Sequence, residues 1–227
     1  MIRFCPYHLR TTDVAAARGF YSALIELDDG AVDIAALPPE ARARGAPPHW
    51  LGHLGVPDLE TAVAAFVAGG ATRLGPSRPA AGGGDVAIVR DPGGAVVALT
   101  TSRAPATDAV WPVLNTPDFA RTAAAYRDMF GWQLTNEIDL GALGVYHQFA
   151  WTAGGPNAGA ITDVSGRPGV HPHWLPNFRV AALDAAVATV AKTGGELIAQ
   201  LAVPNVGRIA VCHDPQGAIF ALREPAA

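Results

Sequence analysis

The sequence predicts an α+β fold of four βαβββ units, paired so that each pair makes a strongly curved sheet with helices outside. Three repetitions carry this prediction. HWLGHLGVPDLETAVAAFVAGG, from His49 to Gly70, returns as HWLPNFRVAALDAAVATVAKTGG from His173 to Gly195. GDVAIVRDPGGAVVALTTS (84–102) returns as GRIAVCHDPQGAIFALREP (207–225). YHLRTTDVAAARGFY (7–21) aligns with PVLNTPDFARTAAAYR (112–127) when Asp13 is set against Asp118. Self-similarity on this scale marks a repeated structural unit that buries its hydrophobic face against a neighbour.

The first unit, near 1–48, opens with a short strand around Tyr7–Arg10 and starts a helix at Thr12-Asp13. Asp suits that place because its carboxylate accepts from the unpaired amides of a helix's first turn. The Ala-rich helix ends on Phe20 and Tyr21. Only LDDGAVDIAALPPEARARGAPP remains before His49, so this unit is expected to have lost part of its sheet. The second unit, near 49–103, begins as a strand at His49-Trp50 and then takes helical spacing in LETAVAAFVAGG. Its closing Gly pair suits a helix C-cap. ATRLG (71–75) reads as a short strand, and 84–102 as a hairpin. There Asp91, Pro92 and Gly94 take the first, second and fourth places of a type I turn, between the aliphatic strands VAIV and VVAL.

SRAPATD (102–108) is the linker, which divides the chain into domains 1–104 and 105–227. The third unit, near 108–172, has room for a full set of three strands through GVYHQFAWTAGGPNAGAITDV. The fourth, 173–227, repeats the second, with ELIAQ (196–200) as the short strand and Asp214 in the hairpin turn.

Half of the 227 residues are hydrophobic and 16% are charged, enough to bury a substantial core and too apolar for disorder. A net charge of −4, with Lys and Arg scattered singly, leaves no basic footprint for nucleic acid. No segment approaches the roughly 20 apolar residues that span a bilayer, and MIRFCPYHLR lacks the apolar run of a signal peptide. The expectation is a soluble, cytoplasmic protein. Cys5 and Cys212 have no CxxC spacing and read as buried free thiols. HExxH, GxSxG, Walker-type loops and GxGxxG after a strand are all absent.

Several of these residues together resemble one family. TTD or NTPD, an Ala-rich helix ending in FY or AYRDMFGW, then HW with its Gly-ended helix, then RDPGGAVVAL or HDPQGAIFAL, look like the vicinal oxygen chelate superfamily. That group includes glyoxalase I, bleomycin-resistance proteins, fosfomycin-resistance enzymes and extradiol dioxygenases. The resemblance covers nearly the whole chain, twice over, and implies two glyoxalase-like domains, each a curved sheet that encloses a ligand in a cup.

It also implies where a metal would sit. Metal-using members hold a divalent ion with His or Glu about seven residues before the helix-starting Asp and with a Glu on the last strand. Here those first-strand places hold Pro6, Leu51, Trp111 and Leu175, and the last-strand places hold Ala98 and Ala221. Pro, Leu, Trp and Ala offer no lone pair, so the usual site is expected to be absent.

Side chains alternate along a strand, so the cup face should carry Pro6, His8 and Arg10 with His49, Leu51 and His53 in the first half. In the second half it should carry Trp111, Val113 and Asn115 with His173, Leu175, Asn177 and Arg179. Trp50 and Trp174 should then point the other way, into the helices. His8 and His53, each five before its helix-starting Asp, are an acid–base or metal pair, or hydrogen-bonded residues of a polar cup. His49 and His173 follow Pro-rich segments and would fix the start of their strands. Trp111 would be an aromatic wall for a flat ligand, or plain packing. Tyr146, His147 and Gln148 share a strand, of which one face should reach the cup.

The function expected is binding of a small organic molecule in a cup without the usual metal ligands, by sequestration, as in bleomycin-resistance proteins, or by metal-free chemistry. Arg10, His49, Trp111, Asn115, Tyr146, Gln148, His173, Asn177 and Arg179 would contact the ligand. The alternative is a lyase, isomerase or dioxygenase using His8 and His53 with Fe, Mn, Ni or Zn. A silent homologue kept for interaction stands beside both. Neither nucleic acid nor membrane is an expected partner, and a homodimer remains open beside a single chain whose halves stack.

Overall fold

A computed structural model describes residues 4–27, 32–80, 83–102 and 110–226, except the side chains of Cys5 and Pro6. Of the expected linker only Ser102 falls inside the described residues. The fold is α+β, with a seven-stranded and an eight-stranded curved sheet.

Four modules follow one another. The first has β1 (Phe4–Thr11), α1 (Val14–Ser22), β2 (Val32–Ala36) and the short α2 (Pro39–Ala43). The second has β3 (His49–Gly55), α3 (Leu59–Ala68), β4 (Thr72–Arg73), β5 (Arg78–Pro79), β6 (Asp85–Arg90) and β7 (Val96–Thr100). The third has β8 (Val110–Thr116), α4 (Phe119–Phe130), β9 (Gln133–Asp139), a 3₁₀ turn (Gly141–Leu143), β10 (Val145–Ala150) and β11 (Asn157–Asp163). The fourth has β12 (His173–Arg179), α5 (Leu183–Lys192), β13 (Glu196–Val203), β14 (Gly207–His213) and β15 (Ile219–Pro225).

In every module the first strand runs parallel beside the last, because a helix crosses between them. His8 lies in register with Asp33, His53 with Ala98, Val113 with Ala160 and Asn177 with Ala221. The first module is shortened as expected: β2 stands where the others place their last strand, with no antiparallel strands before it among the described residues. Helix α2, with Pro39 in its first turn, occupies part of the stretch that carried no assigned element.

Local chemistry explains the helices. Asp13, Asp58 and Asp118 cap α1, α3 and α4, accepting from the amides of Ala16, Thr61 and Arg121 at 2.9, 2.8 and 3.1 Å. Helix α3 buries Leu59, Val63 and Phe66, and α4 buries Thr122, Tyr126 and Phe130, one stripe each at helical spacing. Helix α4 stops at Gly131, which sits at φ 74° in the left-handed conformation that a side chain would strain.

The chain gathers into two compact units, neither of them a contiguous half. One holds Met1–Cys5, Gly52–Asp108 and Pro112–Trp174; the other holds Pro6–Leu51, Ala109–Trp111 and Leu175–Ala227. In the first, Trp132 stacks between Tyr126 and Phe149 at 4.5 and 3.7 Å, and Phe66 meets Tyr126 edge-on. In the second, Tyr21 meets Trp50 and Phe220 edge-on, and Phe178 leans on Trp50. Cys212 is buried there as a free thiol, whereas Cys5 lies outside the described side chains. No described helix is long and apolar enough to cross a membrane.

Candidate functional site

The repeated Trp and the repeated Asp meet inside each compact unit. In the first, Trp174 Nε1 donates to the Tyr126 hydroxyl at 3.1 Å, and that hydroxyl donates to Asp91 Oδ2 at 3.1 Å. Asp91 Oδ1 accepts the amides of Gly93 and Ala95, both at 2.9 Å, and so shapes its own turn. The second unit repeats the triad: Trp50 Nε1 donates to Tyr21, Tyr21 donates to Asp214 Oδ2, and Asp214 Oδ1 accepts from Gln216 and Ala218. Both Trp side chains therefore point into the helices, as strand alternation requires. Burial pushes the Asp91 carboxyl up to about 6, against the pull of the hydrogen bonds it accepts. Asp214 shifts the same way for the same reason. These carboxylates are sealed from solvent, so they hold the frame and leave chemistry to the opposite face.

On that face the third module and His173, the first residue of β12, carry a chain of polar groups, all in the first unit. Strand register sets Asn115 beside Thr162 and Thr162 beside Tyr146, with Gln148 two residues along β10. The Thr162 hydroxyl donates to Asn115 Oδ1 at 2.8 Å, and Asn115 Nδ2 lies 3.3 Å from His173 Nε2. His173 Nδ1 lies 2.7 Å from the His171 carbonyl, which can only accept. The tautomer follows: Nδ1 carries the proton, and Nε2 accepts from Asn115. Burial lowers the pKa of His173, although its bond to His171 opposes this, so the ring is neutral at pH 7. Beside this chain, Gln148 Oε1 accepts amide protons from Asn136 and Asn157, both at 2.8 Å. Its Nε2 donates to none of the described residues. Tyr146 and Gln148 thus share the cup face, while His147 turns away and stacks on Phe119 at 4.0 Å.

In the second unit, the Arg223 guanidinium sits 5.1 Å from the centre of the Trp111 ring. Arg179 is its neighbour in register and is exposed. Asn177 is fully buried; its Nδ2 donates to the Leu175 carbonyl at 3.0 Å, and its Oδ1 finds no hydrogen-bond donor among the described residues. His8 Nδ1 lies 3.4 Å from Asp33 Oδ2. Burial lowers the pKa of His8, Asp33 opposes this, and Arg10 nearby adds to it. His49 Nδ1 bonds to the Pro47 carbonyl at 2.8 Å and fixes the start of β3, the same service His171 receives from His173 at β12.

His8 and His53 fall in different compact units, His53 being buried in the first beside Ala98. Asp33 escaped sequence reasoning, because the remnant of the first module carried no assigned strand. The signal was there: Val32 and Ile34 alternate with Asp33 and Ala35. In register, Asp33 stands beside His8 as Ala98 stands beside His53 and Ala221 beside Asn177.

Of the usual ligand places, that on the last strand of the first module holds a carboxylate, Asp33; the others that are described do not suit a metal. Leu51 and Leu175 are buried aliphatics, Ala98 and Ala221 are buried methyls, and Trp111 offers a ring face to Arg223; Pro6 lies outside the described side chains. Among the described residues no three His, Cys, Asp or Glu side chains converge to hold an ion.

Residues 111–223 match the glyoxalase-like domain family. CFP32 of Mycobacterium tuberculosis, named as a candidate glyoxylase, is 33% identical over 96% of this chain and 93% of its own length. The anthracycline biosynthesis protein DnrV of Streptomyces peucetius is 33% identical over 49% of this chain and 45% of its own. Homoprotocatechuate 2,3-dioxygenase from Arthrobacter globiformis superposes with a TM-score of 0.64 at 14% identity, covering 98% of this chain and 79% of that one. The Mn(II)-bound glyoxalase from Novosphingobium aromaticivorans gives 0.60 at 13%, covering 98% and 81%. At such identities a structural likeness speaks for the fold alone. Fold, motifs and the full-length relative agree: the chain belongs to the glyoxalase-like family of the vicinal oxygen chelate superfamily.

Proposed function

We propose that this protein binds a small organic molecule on the cup face of β8, β10 and β11, by sequestration or by chemistry that needs no ion at the family's usual places. The observation that carries this is the chain Thr162–Asn115–His173 beside Gln148. These groups are neutral and oriented by one another, Thr162, Asn115 and Gln148 buried and His173 half-buried, with Gln148 Nε2 still free to donate. Neutral donors and acceptors on a rigid sheet recognise carbonyl and hydroxyl groups without charge. The partial likeness to an anthracycline biosynthesis protein supports putting polycyclic aromatic ketones first in a ligand screen.

Thermal-shift measurement against aromatic ketones, peptides and aromatic acids tests the reading, since a ligand that binds only the folded state raises its stability. A stabilising compound should lose its effect in Asn115→Leu and in Gln148→Leu. Retention in both variants would refute the proposed face.

A second reading, a divalent-metal enzyme, draws on His8 beside Asp33, two groups able to ligate. Metal analysis of protein purified without added ions separates the two. Stoichiometric Fe, Mn, Ni or Zn, lost in His8→Ala or His53→Ala, would overturn the proposal and establish the second reading.

A further inference from the structure

A cavity of about 340 Å³ opens in the first unit behind β10, on the side away from Tyr146 and Gln148. Its size lies within the range of small-molecule sites. Phe119, Leu143 and Val145 give apolar walls, and His147, Asp163, Ser165 and Arg167 give polar ones. The imidazole of His147 is clamped from two sides, by the Phe119 ring at 4.0 Å and by Glu137 Oε1 at 3.4 Å from Nδ1. The Nδ1 contact is a proximity without a hydrogen bond.

Arg167 is half-buried, yet its guanidinium makes no hydrogen bond or ion pair with any described residue. Asp163 acts on it through space without an ion pair; its Oδ1 accepts the Ser165 amide at 2.8 Å. Gly144 lines the cavity beside Arg167, and its φ of 82° favours glycine there. A guanidinium is a fork of donors suited to a carboxylate.

We infer that this cavity is a second binding site, for a compact monocarboxylate whose apolar body packs against Phe119 and Leu143 while its carboxylate meets Arg167. A phosphate ester fits less well: the Arg167 fork matches one negative charge, and Asp163 in the cavity wall would repel a second. The site lies on the opposite face of β10 from the groups of the proposed function and stands or falls without them.

Isothermal titration with benzoate tests it, alongside benzamide as the neutral isostere and phenyl phosphate as the dianion. Benzoate should bind in the millimolar range, and benzamide and phenyl phosphate at least several-fold more weakly. Arg167→Gln should weaken benzoate by about tenfold or more, the scale of one charged hydrogen bond. Arg167→Lys, which keeps the charge and loses the fork, should weaken it less. Ala142→Trp, on the rim, should block it by bulk, with folding of each variant checked by circular dichroism. Asn115→Leu, on the other face, should leave benzoate binding intact. No benzoate binding at about 10 mM, equal binding of benzamide, or binding unchanged in both Arg167→Gln and Ala142→Trp would overturn the assignment.

Discussion

Tyr126→Phe removes one oxygen and so strands two buried partners. In the wild type that hydroxyl donates to Asp91 Oδ2 and accepts from Trp174 Nε1, and all three residues are shut off from solvent. A hydrogen bond to a charged group contributes about 1.5–3 kcal/mol, and an orphaned buried donor costs about 1–3 kcal/mol. The variant should therefore lose about 3–5 kcal/mol at pH 7.5, a large share of a domain's total stability.

The loss should depend on pH. Asp91 moves from an ordinary 3.8 up to about 6 on folding, so its proton is held more tightly in the folded state. Its contribution favours folding fully below about 3.8 and is lost as pH rises through about 6, a swing of about 3 kcal/mol. At pH 4.5 the carboxyl is protonated in the folded protein, and Tyr126 then serves a neutral acceptor, a bond nearer 1 kcal/mol. The difference between wild type and variant should shrink by about 1 kcal/mol between pH 7.5 and 4.5. Urea unfolding at both pH values measures it. A loss under about 1 kcal/mol at pH 7.5, or a loss that grows on acidification, would refute the role given to the triad.

Three more outcomes are expected. Tyr21→Phe should destabilise as Tyr126→Phe does, since Asp214 and Trp50 lose the same two bonds; an unaltered urea midpoint would count against the equivalence of the triads. Nitrogen NMR of His173 should show the Nδ1–H tautomer at pH 7 and titration below the ordinary histidine range, and an Nε2–H ring would break the orientation assigned to Asn115. Gly93→Ala would drive a methyl into the bonded hydroxyls of Thr116 and Thr122, costing about 1–3 kcal/mol as overpacking does; calorimetry showing an unchanged Tm would contradict it.

The modules were legible because their signals are local. Asp caps, Gly stops and the Asp-Pro-x-Gly turns each act within a few residues, and the strands alternate cleanly. Why the same Trp, Tyr and Asp recur together was not legible, because Asp91, Tyr126 and Trp174 meet only once the chain has folded. For the cup, alternation placed Asn115 and His173 on one face, where they bond. It could not choose a face for β10, since Tyr146, His147 and Gln148 are all half-polar and β9 pairs with a bulge there. Asp33 was hidden by context: a five-residue strand among Gly, Pro and Ala has little pattern to show. The cavity at Arg167 depends on a loop, a 3₁₀ turn and a helix end coming together, which no spacing along the chain announces.

The two triads bear on what half of this molecule could do alone. Asp91 belongs to the first half of the chain, and Tyr126 and Trp174 to the second; Asp214 belongs to the second, and Tyr21 and Trp50 to the first. A half-length polypeptide would hold a carboxylate with no phenol and a phenol with no carboxylate, and could complete either only by embracing another copy. Joining the copies into one chain keeps both unions closed, and the first module, with β2 its one returning strand among the described residues, does without the strands the other modules keep.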